Sequence, residues 1–264
     1  MRLVSLASGS DGNSTYIGSE NTHILVDAGI SNKKIETRLN KLGLSGKDIS
    51  GIFLTHEHSD HIAGLEVFVR KNEIPVYASS GTLRYLRNKD KYSKITDYFH
   101  IIESSKHIRL GDLEVLAFDI DHDANEPFGY RVECGDKKIA VATDLGRYTR
   151  DIVDNLSNLD ALLIEANHDI RMLEIGPYPY ELKRRILSEK GHLSNESSGK
   201  LICEILNDNI KKIFLGHLSD KNNLPELALE SVRFEIFADE RSYNPMDFDI
   251  EVAKRDELSE ICYV

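Results

Sequence analysis

The chain belongs to the α/β class, with two β-sheets covered on their outer faces by helices. Three observations predict this. Short strand-like runs cluster at the amino terminus, strand-like and helix-period runs alternate after them, and a second cycle of the same kind occupies the carboxy-terminal half. No stretch looks like a linker or a low-complexity segment, so residues 1–264 are expected to form one domain.

The elements follow in order. Met1 to Leu6, Ser14 to Ile17 and His23 to Val26 are strand-like and separated by Ser, Gly, Asn and Asp, the chemistry of turns. Helical periodicity marks Asn32 to Leu42, Ile62 to Lys71 and Gly81 to Arg87, interleaved with the apolar runs Gly51 to Leu54 and Ile74 to Ala78. In the second cycle, strands are expected at Glu114 to Asp119, Gly129 to Cys134, Lys138 to Ala142, Ala161 to Glu165 and Lys212 to Leu215. Helices are expected near Thr149 to Leu156 and Glu196 to Leu206, and a last strand at Phe248 to Ala253.

Composition excludes several classes. With 41% hydrophobic and 29% charged residues in 264, the chain can bury a full core. No apolar run approaches a membrane span, and Met1 to Leu6 is too short for a secretory signal, so a cytoplasmic protein without membrane contact is expected. Cys134, Cys203 and Cys262 are odd in number and far apart, which argues against a disulfide framework. The formal net charge of −11 opposes coating of nucleic acid by bulk electrostatics. It leaves a nuclease open, because bound cations and a local basic run such as Lys183-Arg184-Arg185 act where the overall count does not.

The chemistry concentrates in Thr55-His56-Glu57-His58-Ser59-Asp60-His61, directly after the strand-like run that ends at Leu54. His56 and His58 lie two apart, so an extended strand end turns both rings to one side, while Asp60 and His61 fall where the chain turns into a helix. Imidazoles with a carboxylate suit zinc, manganese or iron, and four such groups in one loop exceed what one ion takes from a single segment. Two divalent cations are therefore expected, with further ligands from elsewhere. His122 lies in a loop between strand-like runs, and Asp144 and His217 each end a strand as the first motif does. A carboxylate at Asp144 suits a bridging position. Glu57 points the other way along the strand, toward a supporting role or solvent. His23, His100 and His107 carry no metal pattern.

These residues resemble the metallo-β-lactamase superfamily, and the resemblance covers nearly the whole chain. It implies an αβ/βα sandwich with a metal site between the exposed ends of two mixed sheets. It also implies roles: Asp27, in Leu25-Val26-Asp27-Ala28-Gly29, supports the histidine loop; His56, His58 and His122 bind one metal; Asp60, His61 and His217 bind the other; Asp144 is shared. The H-x-H-x-D-H form implies hydrolysis, since the redox branch replaces a histidine by glutamate there. Leu163 to His168 and Gly191 to Asn195 are similar to the glutamate and histidine strands of tRNase Z-type phosphodiesterases, which makes Glu165 and His192 acid candidates.

More closely, Leu6 to Tyr16, His122 to Tyr130 and Leu182 to Glu196 are similar to the YycJ (WalJ, VicX) group, regarded as DNA-processing nucleases with exonuclease action proposed. The implied substrate is DNA. Neither a tRNase Z-type Gly/Pro-rich insertion nor an RNase J-type inserted domain is evident. The expected chemistry is in-line attack on phosphorus by a water or hydroxide between two cations about 3.5 to 4 Å apart, Asp60 serving as ligand and orienting the water. Ser10 and Asn13 are candidates for phosphate contact, as are His168, Lys183, Arg184 and Arg185, although a hairpin turn explains Gly9 and Gly12 equally well. Competing functions are hydrolysis of a thioester, lactone or lactam, and non-catalytic metal binding in signalling.

Overall fold

A computed structural model describes all 264 residues. Its strands are β1 (Arg2–Ala7), β2 (Ser14–Gly18), β3 (His23–Val26), β4 (Ile49–Phe53), β5 (Val76–Ala78), β6 (Phe99–Ile101), β7 (His107–Leu110), β8 (Leu113–Asp119), β9 (Phe128–Cys134), β10 (Lys137–Ala142), β11 (Ala161–Glu165), β12 (Lys212–Gly216), β13 (Ile250–Val252) and β14 (Cys262–Tyr263). The α-helices are α1 (Asn32–Lys41), α2 (Ser59–Ile62), α3 (Leu65–Asn72), α4 (Ser80–Arg87), α5 (Arg150–Asn155), α6 (Ile170–Ile175), α7 (Tyr180–Ile186), α8 (Asn195–Ile205) and α9 (Pro225–Ala238). They build two seven-stranded sheets, ordered β14-β1-β2-β3-β4-β5-β6 and β13-β12-β11-β10-β9-β8-β7. Both are mixed: β1 to β3 run antiparallel and β3 to β6 parallel, while β7 to β10 run antiparallel and β10 to β13 parallel.

Alternation of side chains along each strand separates three apolar layers. On β10, Ile139 and Val141 face the other sheet while Ala140 and Ala142 face the helices; on β11, Ala161 and Leu163 divide in the same way from Leu162 and Ile164. The layer between the sheets includes Val26, Phe53, Phe128, Tyr130 and Phe214. Outside the first sheet, Ile35 and Leu39 of α1 and Phe68 and Val69 of α3 close a second layer. Outside the other sheet, Leu201 and Ile202 of α8 pack with Val232 and Ile236 of α9. The two-sheet, helix-covered architecture expected from the sequence is thus present. No helix is long and apolar enough to cross a membrane, and the three cysteines are free thiols.

Two expectations need correction. The helix predicted over Ile62 to Lys71 is two helices, α2 and α3, separated at Ala63 and Gly64. Gly64 donates its N–H to Ala28 O at 2.9 Å, and a methyl group there would lie 2.0 Å from Ile30 O, so tertiary contact breaks the helix where periodicity continues. The chain also does not end with the strand near residue 250. β14 returns to pair antiparallel with β1, Leu3 opposite Cys262, and extends the first sheet.

Candidate metal centre

The parallel strands of both sheets end on the same side of the molecule, and their carboxy-terminal residues converge there. The histidine loop follows β4, Asp27 follows β3, Asp144 follows β10 and His217 follows β12. Asp27, Asp144 and His217 adopt left-handed backbone, with φ of 62°, 62° and 56°. Such conformations are strained for residues with a Cβ, and they aim each side chain sharply off its strand.

The expected donors meet. His122 Nε2 is 3.3 Å from His58 Nδ1, and His56, His58 and His122 bring one ligand atom each to a common point. On the other side, Asp60 Oδ2 lies 3.2 Å from both His61 Nε2 and His217 Nε2. Asp144 stands between the two groups. Its Oδ1 is 3.7 Å from His122 Nε2 and 3.5 Å from His217 Nε2, and its Oδ2 is 3.2 Å from His61 Nε2.

The chemistry of this donor set fits divalent cations. His56 Nε2 and Asp144 Oδ2 are buried without a hydrogen-bond partner, a condition that costs about 1–3 kcal/mol per group unless something ligates them. The far ring nitrogens are committed elsewhere, leaving the near ones free to coordinate. His122 Nδ1 is 3.0 Å from Gly191 O, and His61 Nδ1 is 2.7 Å from Asp27 Oδ2. Asp27 also accepts from Thr55 N and Thr55 Oγ1, both at 2.8 Å, so one carboxylate holds the start and end of the histidine loop.

Electrostatics divide the cluster. Burial and the neighbouring His61 charge push His56 well below the ordinary imidazole range. Burial works against charge at His217 too, but Asp144, Asp60 and Glu165 outweigh it and push that imidazole up to about 10. His61 rises similarly, against burial, under Asp60, Asp27 and Asp144. Asp60 is held well below the usual carboxylate range despite burial, first by the His61 charge and then by its bond with His217.

Glu165 and His192 separate in role. His192 Nδ1 lies 2.7 Å from Glu165 Oε1, which is also 3.1 Å from His217 Nδ1. Glu165 Oε2 accepts from Leu145 N at 2.8 Å and Leu193 N at 3.1 Å. The carboxylate is fully buried, and the His192 charge and ring hydrogen bonds overcome burial to bring its pKa down to about 2. Glu165 is sealed from solvent and accepts from four groups, a geometry that suits it to positioning His192 and His217. His192 retains some exposure. Ser194, whose side chain accepts from Ser197 N, caps α8, which leaves His192 free of that task.

The expected substrate contacts fare unevenly. Asn13 is engaged inside the cluster: its Nδ2 lies 3.2 Å from both Asp60 Oδ2 and His61 Nε2, and its Oδ1 accepts from Gly9 N. Gly29 makes this possible, because a methyl group there would sit 1.6 Å from Asp60 O. Ser10 lies on the rim beside Arg255, 3.4 Å away. His168 is buried, with Nδ1 3.3 Å from Asn167 Oδ1, and lies outside the groups of converging ligand atoms. The basic run splits. Lys183 Nζ binds Glu174 O, Arg184 lies 3.7 Å from Glu181, and only Arg185 reaches the centre, by pairing with Asp123. Asp123 Oδ1 is in turn 3.3 Å from His122 Nε2.

Glu57 takes the first of the two places expected for it, while Ser8 and Asn167 escaped the sequence. Glu57 is buried, not solvated, and accepts from Asn125 N at 2.8 Å and Thr82 Oγ1 at 3.2 Å, which ties the His122 loop to α4. Ser8 Oγ accepts from His217 N at 2.8 Å, and Asn167 Nδ2 donates to His217 O at 2.9 Å. Ser8 lies in the turn-rich stretch after β1, and its partner is more than two hundred residues away along the chain.

Comparison with known proteins agrees with this geometry. A family model described as the Beta-lactamase superfamily domain matches residues 22–213. Exodeoxyribonuclease WalJ of Streptococcus pneumoniae is 42% identical over 224 residues, covering 84% of this chain and 83% of that protein. Exodeoxyribonuclease YycJ of Bacillus anthracis is 41% identical over 227 residues, 86% of each chain. Among solved structures, Zn(2+)-bound PqqB from Methylobacterium extorquens superposes over 100% of both chains with a TM-score of 0.72 at 17% identity, a likeness of fold. A helix-covered pair of mixed sheets, histidine and aspartate donors at their strand ends, and relatives of this identity together establish that the chain belongs to the metallo-β-lactamase superfamily, in the group that contains WalJ and YycJ.

Proposed function

We propose that this protein is a metal-dependent nuclease that cleaves phosphodiester bonds of DNA as an exonuclease, with two divalent cations, zinc or manganese, in the centre. His56, His58 and His122 would hold one, Asp60, His61 and His217 the other, and Asp144 both. Bound there, the cations would activate water for attack at phosphorus and stabilise the charge that gathers on the phosphoryl oxygens. Donors come from both sheets, so residues 1–264 act as one catalytic domain.

The observation that carries the reading is the His192–Glu165 pair, 2.7 Å apart and directly beside Asp144. A carboxylate on Nδ1 fixes the orientation of the ring and leaves its other nitrogen for proton exchange with a departing oxygen. Carbonyl hydrolysis by the same centre does not require such a pair. The named activity of relatives sharing about two-fifths of their residues with this chain supports the same direction. Asp27 and Asn13 orient ligands, and Arg185 is the rim cation suited to a neighbouring phosphate.

Assays on bis(p-nitrophenyl) phosphate and on end-labelled single- and double-stranded DNA, with zinc or manganese, test the proposal. Cleavage of both kinds of substrate, lost in His58→Ala and reduced in His192→Ala, is expected. Turnover of thioesters without turnover of phosphodiesters overturns it.

A further inference from the structure

We infer that the arm formed by α6 and α7 is a docking platform for single-stranded nucleic acid, which takes unpaired bases on Tyr180 and Ile175 and backbone phosphates on Arg184 and Arg185. The inference rests on the nuclease reading and goes beyond it by assigning a substrate-recognition surface.

The arm leaves the body between β11 and the Glu165 partner His192. Leu173 and Ile186 are buried and anchor it, while large apolar groups along it stand in water: Ile175 is 85% exposed, Tyr180 71% and Leu187 51%. Burial of such side chains stabilises a free-standing fold, so their exposure together on one short arm calls for a partner. The composition of the arm indicates which. The Arg184 guanidinium lies 5.9 Å from the centre of the Tyr180 ring, and an aromatic ring flanked by a cation takes a base on its face and a phosphate beside it. Pro177 and Pro179 bracket Tyr178 in the turn between the helices, which limits the freedom that docking would otherwise remove.

Position supplies the second argument. Arg185 turns toward the centre and pairs with Asp123, whose carboxylate lies 3.3 Å from His122 Nε2 and 3.9 Å from His58 Nε2. α7 thus runs from the rim of the metal centre out to Tyr180, about 8 Å along its axis and close to the span of two stacked bases. In a chain of net charge −11, α7 places positive charge at two points a polyanion can use, Arg184 beside Tyr180 and Arg185 at the rim of the centre. A duplex keeps its base faces stacked, so this surface suits an unpaired strand end.

Fluorescence anisotropy with the cation-free full chain and a labelled single strand of about twenty nucleotides tests binding without cleavage. Tyr180→Ala is expected to weaken it about 5- to 100-fold, as loss of one stacking contact does, and Ile175→Ser to weaken it less, through lost apolar contact alone, with a smaller effect of both on a blunt duplex. With cations added, the ratio of kcat/KM on the single strand to that on bis(p-nitrophenyl) phosphate is expected to fall by a similar factor. Unchanged binding and an unchanged ratio overturn the platform while leaving the nuclease intact. Failure to hydrolyse any phosphodiester overturns the nuclease instead, and strand binding still reports on the arm. A wild-type dimer in sedimentation that Tyr180→Ala converts to monomer, with strand binding unaltered, identifies the arm as a self-association surface and also overturns the inference.

Discussion

Between Thr55 and His61 a single loop delivers His56, His58, Asp60 and His61, and one buried carboxylate, Asp27, fastens both ends of it. The other three donors come from three separate places, the loop before β9 and the ends of β10 and β12, and the alignment of the last two depends on Glu165, whose two oxygens reach His192, His217, Leu145 and Leu193. Local sequence assembles the first half of the centre. Sheet topology assembles the second. A defect in the loop should therefore act on cation binding alone, whereas a defect at Glu165 should disturb cation binding, proton donation and backbone placement together.

Removing a shared donor should have the largest effect. Asp144→Asn is expected to lower kcat/KM on a phosphodiester by about 10³-fold or more, because the proposed pair of cations would lose charge compensation worth several kcal/mol. Steady-state kinetics with metal content measured in parallel checks this, and near-wild-type turnover would remove the symmetry assigned to Asp144. Chelation comes next. At cation concentrations near a thousand times Kd, binding adds about 4 kcal/mol to folding stability, so excess chelator should lower the Tm by many degrees in a calorimetric scan.

The comparison sharpens with one variant on each side. Asp27→Asn and Glu165→Gln should each weaken cation binding about 10- to 100-fold, as loss of an outer hydrogen-bond partner does. Only Glu165→Gln should also reshape the limb of the kcat–pH profile that reports the proton donor. If both variants change that limb equally, the division between the two halves fails.

Acidity gives a subtler test. His217 is raised to about 10 in the cation-free protein, after Asp144, Asp60 and Glu165 overcome its burial. A raised folded-state pKa stabilises below the unfolded value near 6.5 and loses that contribution as pH rises through about 10. Cation-free protein should therefore melt at progressively lower temperature from pH 6.5 toward 10, while cation affinity increases over the same window because fewer protons need displacing. Scans of chelated and loaded protein should show the gap between them widening. Glu57→Gln should have the smallest effect, about 1 kcal/mol of stability from weakened contacts to Asn125 and Thr82.

Legibility in the sequence followed the same division. The histidine loop, and the habit of strands ending in Asp27, Asp144 or His217, are local patterns with few competing explanations. The fold class was equally visible because β3 to β5 and β10 to β12 are apolar runs of ordinary length between turn residues. α9 was not. Its apolar residues are spread around the helix, with Phe234 and Phe237 exposed and Val232 and Ile236 buried, so no stripe announces it. β14 has two residues and exists through pairing with β1 at the far end of the chain, a contact no window reveals. β6 and β7 are short strands at sheet edges. The positioning role of Glu165 and the engagement of Asn13 depended on distances between segments, which motif spacing does not contain.

The left-handed backbone at Asp27, Asp144 and His217 bears on how these positions can be probed. Alanine there deletes the side chain but keeps a Cβ in a conformation costing about 1–2 kcal/mol, whereas glycine occupies it without that penalty. Paired alanine and glycine replacements would consequently separate two quantities that an alanine scan merges: what each donor contributes to holding cations, and what its unusual main-chain geometry withdraws from folding.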